Sequence, residues 1–377
     1  MNIRCTIYEM IIMGAVLLAG CSQDDVTVEV TPQEPVAISF ACSQDEKDET
    51  NHSTRAGMTG AMNSEDLYYS GFGVFASQTA STPDLMYNQE VKFTFVGDLE
   101  DPLKGYWSYQ PVKYWPADMK HSDLRVSAYA PYVEPASLEG LPADATGIVG
   151  ISANNESPYI TYRRCEKPAD VVDLLWYIGE PRAIPTPTGG VRGTLDMKLY
   201  HALARLQITV ALASAPDPGT KVLIEEISLQ GSMTRTAKLK LNEETTDGDS
   251  HYPVWEALEL ETPDVENRTI TISNADNDDE SYGIIDPQIR YIDGLPYAWQ
   301  PAGLTTTAQN ALSTGDRQTY IYLIPQEEWS VTVEVKYKKW VNGAEGQPTS
   351  GTKRMKTEAK PLVGNTPYVF NITLSGI

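Results

Sequence analysis

The residues best suited to acid–base or metal chemistry are four histidines, namely His52, His121, His201 and His251. They lie far apart, and none stands beside a second metal ligand, a G-x-S-x-G turn or a cysteine in a known nucleophile setting. The adjacent carboxylates Glu225 and Glu226 fall on a predicted strand, whose successive side chains point to opposite faces and could not converge on one substrate. The sequence therefore predicts a protein that is not an enzyme and needs no cofactor, in which His201 is a structural residue.

Two acidic segments, Asn242 to Ser250 and Asn274 to Glu280, are predicted to be loops. In the second, Asp276, Asp278 and Glu280 alternate as in a calcium-binding loop, but glycine is missing where such a loop makes its sharp turn. A solvated acidic loop explains the segment better than a calcium site. We therefore predict no metal.

The N-terminus has the pattern of an export signal. Arg4 precedes an apolar run from Met10 to Ala19 that is too short to span a membrane as a mature helix. The run ends in Leu18-Ala19-Gly20-Cys21, which resembles a bacterial lipobox; the alternative is a chance cysteine after an ordinary secretory signal. The lipobox predicts cleavage between Gly20 and Cys21 and a lipid on the Cys21 thiol, which would anchor the chain in the outer membrane. Residues 22–25, Ser-Gln-Asp-Asp, resemble the tag that sends some Bacteroides-type lipoproteins to the cell surface.

Two further cysteines remain in the mature chain, Cys42 and Cys165. Two cysteines are too few for a disulfide-built scaffold, and they lack the C-x-x-C spacing of a metal site. They could form one disulfide in an oxidising periplasm, or they could be two small buried apolar residues. The sequence leaves both alternatives open.

The aromatic residues between positions 107 and 115 raise the question of a surface site. Trp107, Tyr109, Tyr114 and Trp115 are close in sequence and could form a platform on which sugars stack, with Trp107 and Trp115 as its main members. Tyrosine and tryptophan are also ordinary strand residues. Core packing is the favoured interpretation.

The apolar pattern from Val36 onward has a period of two, which is typical of strands and not of helices. The predicted strands include Ser330 to Trp340, Gly71 to Ala76, Val91 to Val96, Leu124 to Tyr129, Val171 to Ile178, Leu203 to Ala211, Ile224 to Leu229, Thr269 to Ser273, Thr319 to Ile324 and Tyr368 to Leu374. The chain's 377 residues suit two sandwich cores, and Pro, Thr and Gly crowd together at Pro181 to Gly193. We therefore predict an all-β chain of two β-sandwich domains with the boundary in that segment.

The charge balance excludes one class of partner. The chain carries 29 Lys and Arg against 51 Asp and Glu, a formal net charge of −22. Because such a surface repels phosphate backbones and anionic membrane faces, nucleic acid is rejected as a partner.

Several short motifs occur together in a particular order. Thr54-Arg55-Ala56-Gly57 is followed by Gly73-Val74-Phe75-Ala76, then by Tyr114-Trp115-Pro116 and by residues 126–131, Val-Ser-Ala-Tyr-Ala-Pro. The second half continues with residues 201–206, His-Ala-Leu-Ala-Arg-Leu, residues 323–326, Leu-Ile-Pro-Gln, and residues 368–374, Tyr-Val-Phe-Asn-Ile-Thr-Leu. In this order and behind a lipobox, the motifs resemble the Bacteroidales fimbrillin-like proteins, the subunits of type V pili. The resemblance covers nearly the whole mature chain.

The resemblance implies a specific domain organisation. After a signal peptide at 1–20, residues 21–55 would form a lipidated segment that includes the first strand. Two tandem transthyretin-like β-sandwich domains would follow at 56–187 and 188–377. The implied partners are other pilus subunits, bound by strand exchange, together with a host or bacterial surface ligand at the fimbria.

The resemblance also implies that proteolysis controls assembly. An arginine-specific protease would cut between Arg55 and Ala56, because Arg55 follows a polar stretch from Ser43 to Thr54. The cut would remove the strand-like pieces Val26 to Val30 and Val36 to Phe40 and open an edge for another chain's strand. Only Ser375, Gly376 and Ile377 follow Leu374, which favours a tip or accessory subunit over a stalk subunit. The alternative is a permanently lipid-anchored surface glycan-binding protein.

Overall fold

The computed structural model describes residues 35–44, 62, 64–78, 82–97, 103–116, 124–155, 157–165, 171–182, 184–185, 191–213, 220–248, 250–261, 270–273, 284–285, 298–299, 321–341 and 347–376. Pro35–Ile377 forms one compact unit. The predicted signal peptide, Cys21, the strand-like piece Val26 to Val30, Arg55 and Ala56 lie outside the described residues.

The described residues are mostly strand, as the period-two pattern predicts. The first half of the chain contains β1 (Ser39–Gln44), α1 (Ser64–Ser70), β2 (Phe72–Gln78), β3 (Thr82–Phe95), β4 (Gly105–Ser108), β5 (Leu124–Ala130), a 3-10 helix (Pro135–Leu138), β6 (Gly147–Ile151), β7 (Tyr159–Arg163), β8 (Leu175–Arg182) and β9 (Thr194–His201). The second half contains β10 (Ala204–Leu212), β11 (Lys221–Gly231), β12 (Met233–Asp247), β13 (Ser250–Glu261), β14 (Ile270–Ser273), β15 (Ile284–Ile285), β16 (Ala298–Trp299), β17 (Ile321–Leu323), β18 (Gln326–Trp329), β19 (Val331–Trp340), β20 (Thr349–Lys356), β21 (Lys360–Leu362) and β22 (Pro367–Leu374). Each predicted strand segment overlaps one of these strands, and the described residues are mostly β with one α-helix.

The first half of the chain builds a seven-stranded sheet in the order β1-β9-β8-β5-β2-β3-β4. β1 pairs with β9 in parallel, whereas the other neighbours in this sheet are antiparallel. β9 extends to His201, so this sheet continues past the Pro181 to Gly193 segment. Its inner face carries the first core, which includes Phe40, Phe72, Val74, Leu124 and Leu195.

The second half builds two further sheets around its own core. β10 pairs from Arg205 to Leu212 with the parallel strand β22 and also pairs with β16 and β17. β11 lies between β19 on one side and β14 and β15 on the other. The apolar side chains that line this core alternate along the strands, as expected for strands that turn one face toward it. The second core includes Leu206, Ile208, Leu229, Val333 and Ile372.

A fourth sheet, in the order β13-β12-β7-β6, takes strands from both halves. The junction cluster lies against it and includes Tyr129, Ile160, Trp176, Leu239 and Tyr322. The predicted loop from Asn242 to Ser250 is wrong, because β12 continues to Asp247 and β13 begins at Ser250, with Gly248 in the turn. Gly248 has a φ of +59°, a left-handed conformation that glycine adopts without a Cβ penalty.

Candidate functional site

The first described segment of the chain, Val36 to Gln44, lies in a groove between two other parts of the protein. From Ser39 to Gln44 it pairs in parallel with Thr194 to Leu199 of β9. Just before this, Ala37 forms an antiparallel bridge with Tyr114. The predicted strand Val36 to Phe40 therefore lies within the fold. We call its site the β1 groove. The groove has β9 on one side, residues 113–115 on the other, and a floor of apolar side chains from the first core.

Apolar side chains on alternate positions of β1 fill the floor of the groove. Ile38 is 2% exposed and Phe40 is 6% exposed. The ring of Phe40 lies 5.8 Å from that of Phe72 in a T-shaped contact and 5.5 Å from the ring of Tyr109. Such aromatic pairs add about 0.5–1.5 kcal/mol beyond the area that they bury. Phe40 is therefore the main apolar anchor of the segment.

Backbone and side-chain hydrogen bonds hold the N-terminal part of the segment from both sides. The Ile38 N–H donates to the Lys113 carbonyl at 2.9 Å, and the Trp115 N–H donates to the Val36 carbonyl at 2.9 Å. The Tyr109 hydroxyl donates to the Ile38 carbonyl at 2.8 Å and lies 3.2 Å from the Lys113 N–H, which donates to it. Because polar backbone groups are costly to bury without partners, these bonds are required for a strand that enters the core.

Gly193 allows the groove to close around the segment. Its carbonyl accepts hydrogen bonds from the Ser39 N–H and from the Trp115 indole N–H, both at 3.1 Å. A methyl group at this position would lie 2.4 Å from the Ala37 carbonyl oxygen and 2.6 Å from the Val36 Cγ1, and the φ of +92° already disfavours other residues. Glycine is thus needed here for both conformation and space.

The titratable side chains in the β1 groove, Tyr109 and Cys42, are uncharged at neutral pH. Burial raises the pKa of Tyr109 above its usual value, so its hydroxyl remains a hydrogen-bond donor at neutral pH. Burial likewise raises the pKa of the Cys42 thiol on β1. No residue from Pro35 to Gln44 is charged. The segment is therefore held by apolar packing and neutral hydrogen bonds.

The two tryptophans that were considered for an aromatic surface site, Trp107 and Trp115, are packed into the first core. Trp115 is 4% exposed and forms a wall of the β1 groove, which leaves no face of its ring free for a sugar. Trp107 is half-buried, and its ring lies 4.8 Å from Phe72 and 5.1 Å from Phe93. Exposed aromatic rings on this half include Tyr106 and Tyr114, and also Tyr69 at 52% and Phe95 at 38%, whose ring centroids are 5.2 Å apart.

The structure does not bring together Cys42 and Cys165, for which the sequence left a disulfide open. Cys42 and Cys165 are both thiols. Cys42 packs against the first core from β1, whereas Cys165 is buried in the junction cluster. The two side chains belong to different cores of the protein.

The candidate catalytic groups are placed in structural contacts. His201 is buried, and its Nδ1 lies 2.5 Å from the Asp173 carboxylate, which also accepts a hydrogen bond from the Met62 N–H at 3.2 Å. In the part of the chain that the structure describes, no group of three or more His, Cys, Asp or Glu side chains is placed to hold a metal ion.

The prediction that Glu225 and Glu226 point to opposite faces is wrong. A β-bulge between Ile224 and Glu226 shifts the register of β11 against β19. Glu226 consequently pairs with Lys336 at 2.9 Å, and Glu225 pairs with Lys338, which lies on the same face of β19. Each carboxylate thus faces a lysine.

The site was only partly visible in the sequence. The period-two pattern marks Val36 to Phe40 as a strand, but Tyr109, Gly193 and Phe72 are distant from it in the chain. Gly193 lies at the end of the Pro-, Thr- and Gly-rich segment from Pro181, which we interpreted as a domain boundary. The glycine content of that segment was the only sign in the sequence of an unusual backbone conformation at Gly193.

The chain is thus a mostly β protein in which the first strand of the described residues fills a groove at the edge of the seven-stranded sheet. This architecture matches, across most of the chain, solved structures of Bacteroides fimbrial and cell adhesion proteins. A fimbrial protein from Bacteroides vulgatus is 18% identical, with a TM-score of 0.50 over 90% of this chain and 95% of the other, which shows a shared fold.

Weaker likenesses carry no argument of their own. A proposed cell adhesion protein from Bacteroides uniformis is 14% identical, with a TM-score of 0.40 over 91% of this chain and 93% of the other. The fimbrial anchor protein Mfa2 from Porphyromonas gingivalis is 10% identical, with a TM-score of 0.33 over 90% of each chain. No protein-family model matches the sequence, and no curated protein matches it. Within the described ranges, no helix is long and apolar enough to cross a membrane.

Proposed function

We propose that this protein is a structural or adhesive subunit of a type V fimbria on the bacterial surface, and not an enzyme. The fold that it shares with the Bacteroides vulgatus fimbrial protein supports this assignment, as does the ordered set of fimbrillin-like motifs. The single observation that carries the proposal is the position of β1, a strand that precedes Arg55 in the chain and fills a groove lined by apolar residues.

Assembly would follow from removal of that strand. The chain would be exported, cleaved between Gly20 and Cys21, and held in the outer membrane by lipid on Cys21. A cut between Arg55 and Ala56 would then free β1 together with the anchor. Loss of the buried Ile38 and Phe40 would forfeit about 1.5–3 kcal/mol for each side chain and leave the edge of β9 unpaired. A strand from a neighbouring subunit would restore both the packing and the hydrogen bonds.

The strand pairing supports two tandem transthyretin-like sandwiches. The first strand of each half, β1 or β10, pairs in parallel with the last strand of the same half, β9 or β22. Such a repeat is expected if the two halves share a fold. We place the end of the first sandwich at His201, where β9 ends, and the beginning of the second at Ala204. The sheet β13-β12-β7-β6 would then join the two domains.

The C-terminal strand bears on the position in the fimbria. β22 pairs with β10 along its full length, and its Ile372 and Leu374 are buried in the second core. A strand used in this way within its own domain is not available to a neighbour. This supports a tip or accessory subunit over one that donates β22 to its neighbour.

The proposal is tested by changing the processing site alone. Arg55→Lys keeps the charge but removes the target of an arginine-specific protease. We expect the variant to accumulate as a lipidated monomer and to be missing from purified fimbriae. Arg125→Lys, at an exposed position on β5, is the matched control and should assemble normally. Fimbriae that contain the Arg55→Lys variant uncut, at the level of the unmodified protein, would contradict the proposal.

A lipid-anchored glycan-binding protein is the second candidate, favoured by one observation. Tyr69 and Phe95 expose a pair of neighbouring rings at the surface, an arrangement on which a sugar could stack. Glycan-array binding that is lost in Tyr69→Ala but kept in Tyr114→Ala, an equally exposed tyrosine elsewhere on this half, would support it. Absence of binding to any glycan would remove this candidate.

A further inference from the structure

We propose that the β1 groove selects its incoming strand by side chain and by direction: the strand must run parallel to β9 and place a large aromatic residue where Phe40 now lies. This inference rests on the proposed strand exchange and specifies the partner that exchange requires. The partner is a segment of another subunit with apolar residues at alternate positions and an aromatic residue among them.

The selection by side chain follows from the walls of the groove. The floor at position 40 is formed by the rings of Phe72 and Tyr109 at 5.8 and 5.5 Å, which leave a space that matches a ring. A smaller side chain would leave a cavity in the first core, because Phe72 also packs on Trp107 at 4.8 Å and cannot move in freely. The neighbouring inward position, Ile38, is equally buried at 2%, whereas Cys42 is half-buried. The requirement is therefore strict at position 40 and relaxed at position 42.

The selection by direction follows from the hydrogen bonds. In the observed register, Val36 and Ile38 bond to residues 113–115, and the chain then continues along β9 from Thr194 to Leu199. An antiparallel strand would present its backbone groups with a different spacing, and the bonds that the Tyr109 hydroxyl makes to the Ile38 carbonyl and the Gly193 carbonyl makes to the Ser39 N–H would be lost. Gly193 also restricts how closely the incoming strand can approach β9, because a side chain at position 193 would collide with the carbonyl oxygen at position 37 of the strand.

The outward positions provide a way to measure direction. In the parallel register Ala41 lies beside Asp196 and Ser43 lies beside Lys198, and all four side chains are exposed. A strand with lysine at position 41 and glutamate at position 43 would therefore meet opposite charges. The reverse arrangement would meet like charges. Reversing the direction of the strand would remove this preference.

The test uses the full chain with a specific protease site inserted after Arg55, so that the cut does not depend on the natural protease. Cut protein is mixed with fluorescent peptides of residues 35–44 that carry Cys42→Ser, in mild urea to speed exchange. Peptide binding is followed by anisotropy, and filling of the groove by the fluorescence of Trp115. We expect the parent peptide to replace the resident strand. Phe40→Leu should bind about tenfold more weakly and Phe40→Ala about a hundredfold or more. The Ala41→Lys/Ser43→Glu peptide should bind roughly three- to tenfold more tightly than Ala41→Glu/Ser43→Lys.

The outcomes separate this inference from the proposed function. Equal binding of the parent and Phe40→Ala peptides would overturn selection by the aromatic pocket, while strand exchange itself would stand. Equal binding of the two charged peptides, or a reversed preference, would overturn the parallel direction. If no peptide enters, and the cut protein keeps its unfolding midpoint after the resident fragment is washed away, then strand exchange fails as well.

Discussion

The hydroxyl of Tyr109 donates a hydrogen bond to the carbonyl oxygen of Ile38 at 2.8 Å, across 71 positions of the chain. Tyr109 belongs to the first core, whereas Ile38 belongs to the segment that precedes Arg55. The bond is buried and is one of several that fix the strand at its N-terminal end. It therefore joins the two parts of the molecule that we propose to separate during assembly.

Removing this hydroxyl should weaken the attachment of β1. Tyr109→Phe keeps the ring beside Phe40 but leaves the Ile38 carbonyl and the Lys113 N–H without this partner. We expect a loss of about 1–3 kcal/mol in the free energy of unfolding, measured by urea denaturation. Tyr106→Phe, at an exposed position on β4, is the control and should change it by less than about 0.5 kcal/mol. Equal effects of the two substitutions would contradict the described role of Tyr109.

The close approach at Gly193 predicts a second effect on β1. Gly193→Ala places a methyl group 2.4 Å from the Ala37 carbonyl oxygen, whereas Gly248→Ala has a similar positive φ but no atom within 4 Å. Both variants should lose about 1 kcal/mol from backbone strain. Only Gly193→Ala should also raise the hydrogen-exchange rate of the Ile38 and Ser39 amides, as detected by mass spectrometry. Unchanged exchange in β1 would show that the strand tolerates the added methyl group.

Alkaline pH should loosen the groove. Burial raises the pKa of Tyr109 in the folded state above the unfolded value of about 10. The folded protein therefore holds the proton more tightly, so the stabilisation is complete below about pH 10 and is lost as the pH rises beyond it, by up to about 1.4 kcal/mol per pH unit. Buried Tyr162, whose pKa burial also raises, adds to the fall in every variant. Urea midpoints between pH 8 and pH 11 should thus fall more steeply for the unmodified protein than for Tyr109→Phe. Parallel curves would rule out a contribution from Tyr109.

The two cysteines should react as separate thiols. Burial raises the pKa of Cys42, so little thiolate is present and alkylation by iodoacetamide should be slow in the intact chain. Cutting after residue 55 and releasing β1 should return Cys42 to the reactivity of a free peptide. Unfolding without a reductant should allow both Cys42 and Cys165 to be alkylated. A disulfide-linked pair of peptides containing them would be incompatible with the structure and with release of β1.

The sequence predicts the strands well because the apolar side chains that line the cores recur at every second position. Val331, Val333 and Val335 are all buried, as the pattern of Ser330 to Trp340 requires. Which strands pair is harder to predict from the sequence, because β1 pairs with β9 and β7 pairs with β12, and these strands are far apart in the chain. The Asn242 to Ser250 segment shows where prediction from the sequence fails. Its acidic residues indicate a loop, but the segment forms a β-hairpin with cross-strand contacts such as that between His251 and Glu244 at 2.9 Å.

The candidate site, too, could be predicted only in part from the sequence. The strand that fills the groove was visible as an apolar alternation, but the groove itself depends on Phe72, Tyr109 and Gly193, which come together only in the folded chain. The direction of Glu225 and Glu226 could not be predicted because a bulge adds one residue to the strand without a sequence signal.

The most direct test of strand release is the N-terminus of the protein in assembled fimbriae. Mass spectrometry of fimbriae purified from the cell surface should find Ala56 as the first residue, with no peptide from Pro35 to Gln44 retained. The precursor in the membrane fraction should begin at a lipidated Cys21. Assembled subunits that still begin at Cys21 and keep β1 would contradict the account, because the groove would then never be open to another chain.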